Sequence, residues 1–282
     1  MAGGALGGRY GVVNGLTGIR NWQLNDDGTL AVFANSATAA GQGRLPGITA
    51  WTGGYSNHGA LPPVLPGVLF GFQGFTAPDN GILGGVGYKY SGNAMVDSVS
   101  INWDWQGGNV IENQTSFQGA LSLAYVPGAY PYADVGVSNP EPSTGTRIDY
   151  SVDGTTWTTL NNLTQASLQI TNGVQPVVNS STAGGTDRKA GLTDWSANIS
   201  IQDTLLGSGL VKSSAYQFRF YTDATHFWLL KWCRVKGFTG LQVDPQSGAI
   251  IGYTAALEMC GVLNGVLGSL IAPAAGSSYW GA

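Results

Sequence analysis

The side chains able to do chemistry are few and far apart. The chain has two histidines, His58 in a Gly/Asn loop and His226 beside Phe227 at the head of an apolar run. Neither has a second His or a Cys at the spacing a transition-metal site needs. Paired carboxylates would be the chemistry of a glycosidase, and Asp104, between Trp103 and Trp105, is the acid in the most suggestive aromatic setting. No Gly-x-Ser-x-Gly elbow is present, no Gly-x-Gly-x-x-Gly opens a helix, and no phosphate loop carries its lysine. The pattern predicts no catalytic residue, no metal site and no cofactor, and it assigns the 44 glycines to turns.

The residues that stand out do so because they occur twice. Residues 35–51, NSATAAGQGRLPGITAW, match residues 179–195, NSSTAGGTDRKAGLTDW, at a constant offset of 144 with nine of 17 positions identical. The identities include Asn35/Asn179, Arg44/Arg188, Gly47/Gly191 and Trp51/Trp195. A second block, INWDWQGGNVI at 101–111, matches LQVDPQSGAII at 241–251 at offset 140, keeping Asp104/Asp244 and Gly108/Gly248. A weaker anchor pairs Leu16-Thr17 with Leu163-Thr164. Three anchors in the same order predict two copies of one domain, 1–126 and 147–282, joined by an extended linker, 127–146.

The repeat also sets the roles. Asp244 sits in Asp-Pro-Gln-Ser-Gly, a turn in which Asp caps backbone amides, so its counterpart Asp104 is read as a turn residue, with Gly108 and Gly248 closing the two turns. Trp51 and Trp195, with Gly47 and Gly191, read as core anchors; exposed sugar platforms are the competing reading. Arg44, Arg188, Asn35 and Asn179 are the candidates for contacts with a neighbouring subunit, the arginines through carboxylates or backbone carbonyls.

Composition points the same way. Only 10% of residues are charged against 43% apolar, so a lone particle would have little charge with which to cover its surface, and burial against other copies is expected. Net charge is −4 with no long basic run, which excludes a protein held to nucleic acid by phosphate contacts. The N-terminus lacks the pattern of a signal peptide, and the apolar stretch Gly261–Ala274, broken by Gly265, Gly268 and Pro273, is too short for a membrane span. Cys233 and Cys260 read as buried thiols, with a bridge left open.

The elements that must hold these residues are strands. Asp153-Gly154 marks a hairpin between 147–152 and 156–160, and Ala166–Ile170 and Leu192–Gln202 alternate. Further strands are expected at 99–105, 110–120, 216–221, 227–232, 234–244 and 249–259. Residues 172–190 read as a long loop, 55–67 as a Pro-rich loop without a counterpart of that composition, and 204–214 as the one place in the second copy for a short helix. The fold class is all-β with at most short helices, as two tandem antiparallel sheets whose open edges invite neighbours.

Three segments of the second copy, DYSVDGTTW (149–157), GLTDWS (191–196) and VDPQSGAIIGYT (243–254), resemble the tail-tube proteins of long-tailed phages. The first copy departs from this pattern, with Ala50 before Trp51 and Asn102-Trp103-Asp104-Trp105 in its hairpin. The resemblance implies β-sandwich or half-barrel domains whose inner sheets join into rings of six folds, here a pseudo-sixfold trimer. It implies rings that stack through the loops near 30–50 and 172–190, other tail proteins at the tube ends, and a lumen that passes DNA without binding it. The setting would be the virion, assembled in the host cytoplasm. Other virion structural roles, a capsid cement or a tail terminator, share the composition, and a carbohydrate-binding β module is the third reading.

Overall fold

Alternation of apolar and polar residues becomes strand almost wherever it occurs. The computed structural model describes residues 8–10, 14–15, 19–33, 43–59, 62–75, 88–127, 143, 145–178, 186–203, 208–242, 252–260, 262–263, 266–267 and 269–271. In the first half these form β1 (Gly8–Tyr10), β2 (Asn14–Gly15), β3 (Ile19–Phe33), β4 (Gly43–His58), β5 (Leu69–Phe75), β6 (Tyr88–Asp104) and β7 (Glu112–Pro127). The second half opens with β8 (Ile148–Ser151), β9 (Thr158–Thr159), β10 (Leu163–Asn172), β11 (Gln175–Val177), β12 (Asp187–Lys189) and β13 (Thr193–Ile201). It continues with β14 (Ala215–Tyr221), β15 (Phe227–Gln242), β16 (Gly252–Met259), β17 (Val262–Leu263), β18 (Val266–Leu267) and β19 (Ser269–Ile271). The chain is all-β, and the paired strands run antiparallel.

The two halves pair their strands in the same order. The first runs β1-β5-β6-β7-β4-β3 and the second β8-β14-β15-β16-β13-β10. Registers coincide as well. Ile19↔Asn57, Asn21↔Ser56 and Trp22↔Tyr55 become Leu163↔Ile201, Gln165↔Ser200 and Ala166↔Ile199 when 144 is added to each number, and both pairs skip one residue at the same place. The anchor Leu16-Thr17/Leu163-Thr164 is therefore three residues out of step, because the structure aligns Ile19 with Leu163. Asn102↔Glu112 becomes Gln242↔Gly252 at offset 140.

The turn before β5 recurs before β14. Gly67 N donates to Val96 O at 2.8 Å and Val96 N to Val68 O at 3.2 Å; Ser213 N donates to Val235 O and Val235 N to Ser214 O at the same two distances. Gly67 (φ +83) and Ser213 (φ +67) both take the left-handed conformation this turn requires. The Pro-rich stretch from Tyr55 thus has a structural counterpart, hidden by composition, and Tyr55–His58 belongs to β4.

The halves meet where β10 pairs β6. The long strand β6 gives one whole edge to β7, and divides its other edge between β5 (Lys89–Met95) and β10 (Ser98–Asp104). One apolar cluster runs through both halves, and Trp103 of the first packs against Phe220 of the second at 5.6 Å between rings. β5 folds over the apolar face of β4 and β7, where Phe117 meets Phe70 and Phe72 at 5.5 and 5.0 Å, giving a sandwich.

Several sequence expectations need correction. Residues 227–242 form one strand, not two, because Trp232 (φ +54) bends the chain without ending the ladder. The expected loop 172–190 contains a β11–β12 arm. The apolar tail pairs β17 with β18 and then returns to the sheet through β19 against β15. The end of the linker is docked, with Ser143 buried and bonded to Asp104 N and Asn109 O. The expected short helix 204–214 is not among these: Ser208 is helical, 204–207 lie outside the described residues, and the chain turns at 211–214.

Candidate functional site

Directly opposed residues in an antiparallel sheet share a face, so the registers define what each face is made of. Strands β3-β4-β7-β6-β10-β13-β16-β15 form eight neighbours in a row. One cross-sheet line reads Asn21, Ser56, Gln114, Ser100, Gln169, Ser196, Glu258 and Arg234. The next runs Glu112, Asn102, Ser167, Asn198, Ala256 and Gly237. This face is a lawn of short amides and hydroxyls, continuous across both halves. The opposite face is buried, with Ile101, Leu168, Ala197 and Leu257 in line; across β7 and β4 the line continues through the buried polar side chains of Asn113 and Asn57.

The polar face carries little charge. Among its described residues the cations are Lys236, paired with Glu258 at 2.5 Å, and Arg234, whose Nη1 donates to Ser213 O at 2.7 Å. A shallow depression on it is lined by Asn102, Asp104, Gln165, Ser167, Asn198 and Thr254. Among the described residues no group of three or more His, Cys, Asp or Glu could hold a metal.

Asp104 caps the turn that follows β6. Its carboxylate accepts from Gly107 N at 2.8 Å and from Asn109 Nδ2 at 2.5 Å, and the Gly107 amide holds its pKa below the ordinary carboxylate value. Gly108 (φ +63) supplies the left-handed step of this turn. Asp244 and Gly248 lie outside the described residues.

Trp51 and Trp195 are buried in the core, 1% and 2% exposed, and Trp103 is equally covered, so none presents a face for a sugar ring. Trp51 lies over Gly119, where any side chain would enter the indole. Gly191 lies against the backbone of Gly173, so closely that a Cβ would overlap its carbonyl. His226 is exposed and bonded to Asp223 at 2.6 Å. Cys233 and Cys260 are free, buried thiols, and burial raises the pKa of both.

Arg188 lies on the β11–β12 arm, and the arm crosses to the other half. Its Nε donates to Gly119 O at 3.0 Å, and Leu121 N donates to Thr186 O at 2.8 Å. Burial lowers the Arg188 pKa, partly countered by the charge of Asp97. Arg188 thus bonds a backbone carbonyl in the first half of its own chain. Arg44 and Gly47 lie within β4, their side-chain positions outside the described residues, as are Asn35 and Asn179 altogether.

Sequence reading missed the polar face. Its signal was present in the Ser, Thr, Asn and Gln at alternate positions of each strand, but only the register sets those positions side by side. No family model matches the chain, and no curated protein is detectably similar to it.

Proposed function

We propose that the chain is a non-enzymatic structural subunit that assembles with its own copies into a phage-type tail tube. The observation that supports this reading best is the eight-strand sheet with a continuous polar face on which the acids outnumber the cations among the described residues. A wall for passing DNA needs polar groups to stay wet and no free cations to hold phosphates by counterion release. Lys236 is paired with Glu258, Arg234 stands opposite the same carboxylate, and the remaining acids of the face, Asp104, Glu112 and Asp194, would repel the phosphates. The shared strand order and the shared offsets support an ancestral duplication, by which three chains present six equivalent sheets in a ring. Other tail proteins would meet the tube only at its ends.

Negative-stain microscopy of the concentrated protein tests the reading. Trimeric rings that stack into hollow tubes are expected. Rings that never stack would favour a terminator or cement role, and a monomer at every concentration would overturn self-assembly.

A further inference from the structure

We propose that the outer edge of β3 in one copy pairs antiparallel with the outer edge of β15, from residue 237 to 242, in a second copy. The register is the one the molecule already uses between β10 and β6; the inference rests on the reading that the chain self-assembles.

The internal seam is the template. In the matching orders of the two halves, β3 stands where β10 stands, and β15 stands where β6 stands. β10 covers β6 from Ser98 to Asp104. Among the described residues no strand pairs with the outer edge of β3, which bonds only β4. The same holds for the matching edge of β15 beyond Val235. β14 covers that edge as far as the Ser213–Val235–Ser214 bonds, and β5 leaves β6 at the equivalent Gly67–Val96–Val68 bonds. Just past that point β6 receives β10, and β15 receives nothing among the described residues.

Exposure marks the missing neighbour. Ile101, beneath β10, is 0% exposed, whereas its counterpart Leu241 is 52% exposed. The register follows by offset: Leu24 would face Leu241 as Leu168 faces Ile101, and Gln23 would face Gln242 as Ser167 faces Asn102. β15 has one more residue than β6 here, a bulge between Thr239 and Gln242 with Gly240 at φ +71, so the Gln242 end fixes the register. A strand edge of one kind against a different edge of the next copy is a head-to-tail contact, which closes into a ring or runs on. It would extend the polar face from chain to chain, Gln23 beside Gln242.

Mixing Gln23→Cys protein with Gln242→Cys protein under mild oxidation tests this. The wild type, with both thiols buried, is the blank, and the double variant Asn102→Cys/Ser167→Cys reports the same geometry within one chain. Covalent dimers are expected from the mixture, from neither single variant alone, and a ladder of multimers from a chain carrying both changes. Leu241→Lys gives an answer without a disulfide: it should leave the circular dichroism unchanged and abolish assembly measured by light scattering. If the protein assembles but gives no mixed cross-link and tolerates Leu241→Lys, the seam is wrong and self-assembly stands. If it stays monomeric at every concentration, both fail.

Discussion

Ile101 and Leu241 occupy matching places in the two halves, yet one is sealed and the other half open to water. The first half offers its β6 edge to β10 of the same chain, while the second half offers its β15 edge to nothing among the described residues. The arm is equally one-sided in what it touches: β11–β12 reaches from the second half to the β7 strand of the first through Arg188 and Thr186. The strand that ends each half also differs. β7 runs unbroken to Pro127, bent at Leu121 (φ +63), whereas the matching path in the second half breaks after β16 and resumes as β19. One plan of hydrogen bonding thus tolerates different furnishing, and the differences gather where the halves meet each other or face outward.

Pairs of substitutions break or sharpen this comparison. The largest effect is expected from Ile101→Lys, which puts an unpaired charge into a dry seam and should unfold the protein in a thermal melt; Leu241→Lys, melted at a dilution where the chains are unassembled, should leave the melting temperature almost unchanged. Trp103→Ala, removing the ring that ties the halves together against Phe220, should cost about 3–5 kcal/mol in denaturant unfolding. A difference of under about 1 kcal/mol would show that the halves do not share a core.

Gly119→Ala and Gly191→Ala come next. Each places a methyl where the Trp51 indole or the Gly173 carbonyl already sits, and about 1–3 kcal/mol should be lost by the same measurement. Arg188→Met keeps the apolar stem and removes the bond to Gly119 O, so about 1 kcal/mol is expected. Its diagnostic readout is faster hydrogen exchange at the Leu121 amide, which the arm protects; unchanged exchange would mean the arm stays docked without the arginine.

The smallest effect concerns pH. The folded pKa of Asp104 is depressed by the Gly107 amide, so its contribution is present above the unfolded value of about 4 and fades as pH falls through the folded one. Asp104→Asn should therefore flatten the acid limb of the stability curve slightly and leave neutral stability nearly as it was. An identical acid limb in both proteins would remove Asp104 from the account.

Much was legible in the chain itself. Alternation in 166–170 and 192–202 marked strands, Asp153-Gly154 marked a hairpin, and the repeat at offset 144 marked β4 and β13 as equivalents, since identity of residue type at fixed spacing survives without any knowledge of contacts. Asp104 read as a turn residue because local capping needs only neighbours a few residues away.

What the sequence could not express was anything decided between residues distant along the chain. The equivalence of Gly67 with Ser213 is invisible in residue type, since it lies in a backbone conformation and a pair of hydrogen bonds. The kink at Trp232 that keeps β15 whole, the arm that crosses to the first half and the polar lines across eight strands all depend on register. A one-residue slip would turn every side chain of a strand to the other face. The sequence by itself determined that this protein would be built of strands, twice over. The tertiary structure alone decided which edges were joined within the chain and which were left open, because edge pairing is a matter of backbone groups that every residue carries alike.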